Sequence, residues 1–139
     1  MTAAPAAAPK PAGTASTATV LAPVDGTIEP IDQVPDETFA EKLLGDGFAV
    51  IPKSGTIVAP VSGKVSTVAQ AKHAVGITTN AGLEVLVHIG IDTVQLNGDP
   101  FTVKVAEGQQ LTAGDPIVEV DWNAVRAAGK PTDVIVVFT

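Results

Sequence analysis

Two histidines, His73 and His88, stand fifteen positions apart in a chain that has no cysteine and one methionine, Met1. A neutral imidazole nitrogen is a competent nucleophile near neutral pH, because its pKa is about 6.5. Once phosphorylated, that nitrogen loses lone-pair delocalisation, so the group remains easy to pass on. A second imidazole close by can donate a hydrogen bond to the phosphate oxygens as charge develops. These residue types therefore suit phosphoryl transfer through histidine, which needs no metal or organic cofactor. Three other chemistries compete. A zinc peptidase needs a third ligand and an open position for water. Asp92 could complete such a set, but no His-x-His or His-Glu-x-x-His spacing is present. A biotinyl or lipoyl carrier shares the grammar of Val105–Val120, but its exposed lysine sits in a Met-Lys-Met or Asp-Lys setting. A structural β domain with both histidines satisfied by packing is the third.

The elements that must position the pair are strands. Glu84–Asp92 reads E-V-L-V-H-I-G-I-D. With a period of two, Val85, Val87, Ile89 and Ile91 face a core, and Leu86, His88, Gly90 and Asp92 face the other way. Lys72–Thr79 reads as a second strand carrying His73, Val75 and Ile77 on one face. Asn80-Ala81-Gly82 between them is a hairpin turn. A turn centred between positions 80 and 81 pairs His73 directly with His88, with Cβ atoms about 4.5–5.5 Å apart.

The rest of the chain fits that frame. Runs rich in Val, Ile and Thr, punctuated by Gly and Pro, recur from Val20 onward. They predict an all-β fold, a compact antiparallel sandwich or barrel of many short strands. One or two short helices interrupt it. Asp36–Leu44 has an acidic start and a stop at Gly45, and Asp121–Ala128 has a capping Asp and a stop at Gly129. Leu21–Ile28 (LAPVDGTI) and Val58–Val65 (VAPVSGKV) form a weak internal repeat. Residues 1–19 are dominated by Ala, Pro, Thr and Ser and read as a disordered linker or tail, leaving 20–139 as one domain. The net charge is −7, from 15 acidic against 8 basic residues. That argues against a nucleic-acid partner, and no apolar run is long enough to insert into a membrane.

Val87–Gly98 (VHIGIDTVQLNG) resembles the glucose-type enzyme IIA domain of the bacterial sugar phosphotransferase system, whose pattern there is V-H-[FIL]-G-I-D-T-V-x-L-x-G. Val34–Pro52, Ile57–Gly63, Lys72–Ile77 and Glu107–Val120 resemble further segments of that family. The resemblance covers about residues 20–139. It implies a cytoplasmic β sandwich, free-standing or tethered through a IIC domain. His88 would accept phosphate from the carrier HPr and pass it to a cysteine of a IIB domain, which can lie in the same polypeptide. His73 would be the accessory histidine that holds the phosphate. Asp36 and Asp92 would rim the site, and Thr38, Phe39, Leu43, Leu44, Leu86 and Val94 occupy positions of an apolar docking patch. The family also implies a regulatory alternative, in which partner binding follows the phosphorylation state. In some such complexes His73 and His88 would share a zinc ion with a partner carboxylate. The family often has Thr two residues before the accessory histidine; this chain has Ala71.

Overall fold

The computed structural model describes residues 20–34, 36, 39, 45–91, 93–96 and 98–138, with the backbone alone for Val94 and Gln95. The expected linker and most of the expected helix over 36–44 lie outside that set. The strands are β1 (Gly26–Pro30), β2 (Asp46–Pro52), β3 (Thr56–Val58), β4 (Gly63–Val68), β5 (Ala74–Thr78), β6 (Glu84–Ile89), β7 (Phe101–Val103), β8 (Gln110–Leu111), β9 (Pro116–Val120) and β10 (Val134–Phe138). They form a seven-stranded sheet, β1-β2-β10-β6-β5-β4-β8, and a three-stranded sheet, β3-β9-β7. Neighbouring strands run antiparallel throughout.

The main core lies between the two sheets. Val50, Val65, Val75, Ile77, Val85, Val87, Ile89, Val134 and Val136 from the large sheet meet Ile57, Phe101, Val118 and Val120 from the small one. Full burial of each such side chain contributes about 1.5–3 kcal/mol. The short helix α1 (Trp122–Ala127) closes one side as the sequence predicts: the Asp121 carboxylate accepts from the Ala124 N–H, and Gly129 follows the C-cap Ala128. Trp122 anchors the helix by donating Nε1–H to the Ser54 carbonyl at 2.6 Å.

Strand β10 explains the unbroken apolar run V-I-V-V-F. It sits in the middle of the large sheet and is covered on both faces, so alternation with polar residues is lost. Val134 and Val136 enter the main core, whereas Ile135 and Val137 enter a second cluster on the opposite face with Ile31, Val34, Phe39, Ala49 and Ile91. Ile91 was expected beside Val85, Val87 and Ile89. It changes sides because β6 ends at Ile89 and Gly90 turns the chain at φ +77°.

The internal repeat is a structural feature as well. The Leu21 N–H donates to the Pro60 carbonyl at 2.8 Å, and the Val58 N–H donates to the Pro23 carbonyl at 2.7 Å. Each copy's first residue thus bonds the other's third, and Val24 and Val61 are both buried. The copies lead into β1 and β4, which lie at matching distances on either side of the β10–β6 pair.

The register of the β5–β6 hairpin differs by one from the sequence expectation. Ala74, not His73, stands opposite His88, and Val75 stands opposite Val87. The loop is three residues long, closed by the Thr79 N–H donating to the Leu83 carbonyl, with Gly82 left-handed at φ +88°. Three-residue loops of this kind place Gly in the left-handed third position. The resulting register aligns Val75 and Ile77 with Val87 and Val85 on the core face, the alignment that burial demands.

Candidate functional site

His88 belongs to the face of the large sheet that carries the second apolar cluster. A row of cross-strand neighbours runs Glu29, Ala49, Ile135, His88, Ala74 through four strand pairings. Flanking strands therefore fix the imidazole's root, and Ile135 gives it a fully buried aliphatic neighbour. Phe39 walls one side, its ring centroid 4.8 Å from that of His88.

His73 reaches the same place by another route. It precedes β5 rather than lying within it, and the residue before it, Lys72, is left-handed at φ +64°. That backbone costs an L-residue about 1–2 kcal/mol, and it frees His73 from the period-two alternation that would have turned it toward the core with Val75 and Ile77. The two imidazoles stand edge to face with centroids 4.9 Å apart. The backbone binds the pair too, because the Ile89 N–H donates to the His73 carbonyl at 2.7 Å.

The two rings are prepared differently. His88 Nδ1 lies 2.8 Å from the Gly90 carbonyl. A carbonyl only accepts, so Nδ1 carries the proton and the lone pair sits on Nε2. His73 Nδ1 is buried and has no hydrogen-bond partner among the described residues. An under-satisfied acceptor is tolerated better than an orphaned N–H, which places the lone pair on His73 Nδ1 and the proton on Nε2. Burial holds the His73 pKa below its ordinary value, so this ring stays neutral at neutral pH.

Other expected site residues divide into three groups. Leu86 is half-buried, two residues before His88, and packs on the second cluster. Asp36 is half-buried in the segment that leads to Phe39. Phe39, expected in the docking patch, is 5% exposed and lies against the ring of His88. Thr38, Leu43, Leu44 and Asp92, with the Val94 side chain, lie outside the described residues. Among the described residues no three His, Cys, Asp or Glu side chains converge as a metal site. Sequence reasoning missed Ile135, although the unalternating V-I-V-V-F run signals a strand buried on both faces.

The chain matches the family described as phosphoenolpyruvate-dependent sugar phosphotransferase system, EIIA 1, over residues 18–139. It belongs to that family. The glucose-specific EIICBA component of Streptococcus pneumoniae is 58% identical over 120 residues, which are 86% of this chain and 16% of that protein. The glucose-specific EIIA component of Halalkalibacterium halodurans is 46% identical over 86% of this chain and 69% of its own. The solved structure of glucose permease IIA from Mycoplasma capricolum superposes with a TM-score of 0.83 at 49% identity, over 86% of this chain and 77% of that one. The fold is thus the β sandwich of EIIA domains, and the chain is a phosphotransferase-system component. No helix among the described residues is long and apolar enough to cross a membrane.

One carboxyl at the far end of the His88 row departs from its ordinary behaviour in this EIIA domain. Glu29 is raised from 4.5 to about 7, first by burial, then by its side-chain hydrogen bond to Asp133 and by that residue's charge. Its Oε1 is buried with no hydrogen-bond partner among the described residues. Because the folded state holds this proton more tightly than the unfolded chain does, the contribution is fully favourable below pH 4.5 and is lost as pH rises toward 7. Glu29→Gln should therefore stabilise the domain at about pH 8 by ~1 kcal/mol, allowing for solvent screening at the sheet edge, and give no gain near pH 4.5. Parallel melting curves for the two proteins across that range would contradict the assignment.

Proposed function

We propose that this domain carries a phosphoryl group on Nε2 of His88, receiving it from HPr and giving it to a cysteine of a IIB domain. The observation that carries this reading is the Nδ1–H bond of His88 to the Gly90 carbonyl, which puts the lone pair on Nε2, with His73 4.9 Å away. In the forward step the Nε2 lone pair attacks phosphorus. The donor's N–P bond breaks, and its electron pair returns to the donor imidazole. His88 keeps its Nδ1 proton, and the Gly90 carbonyl stabilises the positive charge that the ring acquires. His73 Nε2–H donates to a phosphoryl oxygen and steadies the negative charge there. In the return step the IIB thiolate attacks phosphorus and His88 recovers its lone pair.

The half-buried Leu86 and Asp36 form part of the rim that a partner would meet, and the resemblance adds Leu43, Leu44, Asp92 and Val94. A net charge of −7 favours partners with a basic docking face. A relative named as an EIICBA component supports a IIB partner in the same polypeptide, tethered at the membrane. The names of the relatives make glucose the first sugar to test.

The test is transfer from phosphoenolpyruvate through enzyme I and HPr to the domain, followed by discharge to a IIB domain. The wild type should take up one phosphoryl group, stable to base and labile to acid, as phosphohistidine is. His73→Gln should still accept the group but pass it to IIB about tenfold or more slowly, having lost one charge-stabilising donor. A wild-type domain that takes up no phosphate, or His73→Gln discharging at the wild-type rate, would contradict the reading.

A further inference from the structure

We infer that Thr93 is a positioning residue of the phosphoryl site, holding the Ile89–Gly90 peptide and through it the next carbonyl, that of Gly90, which fixes the tautomer of His88. The inference rests on the reading of His88 as the phosphoryl acceptor. Thr93 is the one polar residue that is fully buried among the described residues, at 0% exposed. Its hydroxyl donates to the Ile89 carbonyl in a short hydrogen bond. Its methyl lies against Gly90: a Cβ added there would come within 2.4 Å of Thr93 Cγ2. A buried threonine on a turn is ordinary packing unless what it holds matters.

What it holds is the junction of the site. The Ile89 N–H bonds the His73 carbonyl, and the Gly90 N–H donates to the Asp133 carbonyl at 2.8 Å. The Gly90 carbonyl accepts from His88 Nδ1. Ile89 and Gly90 thus link the backbone of one imidazole to the tautomer of the other. Gly90 is left-handed at φ +77° and brings no side chain of its own to hold that conformation. Thr93 supplies two restraints from the side opposite Asp133: a hydrogen bond on the carbonyl preceding Gly90 and a methyl beneath its Cα. Without the hydroxyl, the Ile89 carbonyl is buried and unpaired. The Ile89–Gly90 peptide can then rotate to find a partner, shifting the Gly90 Cα and with it the carbonyl of the following peptide away from Nδ1. Gly98 adds a second brace nearby. A Cβ at Gly98 would lie 3.2 Å from Lys72 Cδ and 3.4 Å from the Ala71 carbonyl, so the turn after Thr93 packs on the segment that delivers His73.

Thr93→Val keeps shape and methyl and removes the hydroxyl. The readout is the nitrogen chemical shifts of His88 by NMR, which distinguish an Nδ1–H ring from an Nε2–H ring without any phosphoryl transfer. We expect the wild type to be almost wholly Nδ1–H. Thr93→Val should show a mixed population and phosphate acceptance about tenfold slower. Thr93→Ser restores the hydroxyl and should keep the wild-type tautomer, whether or not Thr93→Val folds. A wild-type tautomer in folded Thr93→Val, or a shifted one in Thr93→Ser, overturns the inference. If the tautomers behave as expected but the wild type takes up no phosphate, the positioning role stands and the carrier function fails.

Discussion

His88→Ala should abolish phosphate acceptance while leaving the domain folded. The loss should be on the order of 10⁴-fold or more, because removing the proposed nucleophile leaves nothing to form the covalent intermediate. His73 cannot take over with its Nδ1, which is buried. The fold should survive because the side chain is only half-buried and the strand beneath it is held from both sides, by Ala74 of β5 and Ile135 of β10. What is lost includes the ring contacts with Phe39 and His73 and the hydrogen bond to Gly90, about 1–3 kcal/mol together. Labelling from phosphoenolpyruvate, followed by mass analysis of peptides, measures acceptance, and circular dichroism with a melting curve measures folding. Label persisting in a folded His88→Ala protein would remove His88 from the mechanism.

Gly90→Ala should destabilise the domain at the site itself. Two costs add. An L-residue at φ +77° costs about 1–2 kcal/mol. The new Cβ would also lie 2.4 Å from Cγ2 of the fully buried Thr93 and 3.2 Å from the Pro131 carbonyl. Thr93 can yield only by turning, which breaks its bond to the Ile89 carbonyl and leaves a buried acceptor unpaired at about 1–3 kcal/mol. The sum is a destabilisation of ~2–5 kcal/mol, readable as a lower denaturation midpoint at unchanged slope. Gly82→Ala is the control: φ is similar at +88°, but nothing lies within 4 Å of the added atom, so only the backbone cost of ~1 kcal/mol should appear. Equal losses at the two positions would mean that the packing around Gly90 is looser than the structure shows.

How far the sequence reveals this site depends on the kind of restraint. Strands with one buried face are legible because alternation records burial directly. Val85, Val87 and Ile89 against Leu86 and His88 follow that rule, and β6 matches it residue for residue. The helix at Trp122 is legible because Asp121 and Gly129 mark its ends by local chemistry. The hairpin register is one step harder. Asn80-Ala81-Gly82 admits a two-residue or a three-residue loop, and only matching Val75 and Ile77 to Val87 and Val85 decides between them. The path of His73 is not legible at all, because a left-handed Lys72 has no compositional signature. Nor is the cover over His88, since Ile31, Phe39 and Ile135 come together from distant parts of the chain. The family resemblance brings the two histidines together where spacing alone misplaces one of them by a residue.

The strand order has a consequence for how the molecule comes to exist. Strand β2 does not pair with anything near it on its inner side; it waits for β10, whose Ile135 meets Ala49 from 86 positions further along. The same late strand lies directly against β6 and places Ile135 beside His88. Two sub-assemblies, β1–β2 and β4–β5–β6, can each form from local hairpins, but they remain unjoined until this keystone arrives. Loop closure over such separations is slow, and sheets built from distant pairings fold on millisecond-to-second timescales. During synthesis the strands that flank His88 therefore cannot all be in place before β10, which ends at Phe138, has been made. A half-built chain would hold both histidines yet lack the β10 strand beside His88, and on the proposed function competence to carry phosphate would appear as the sheet closes.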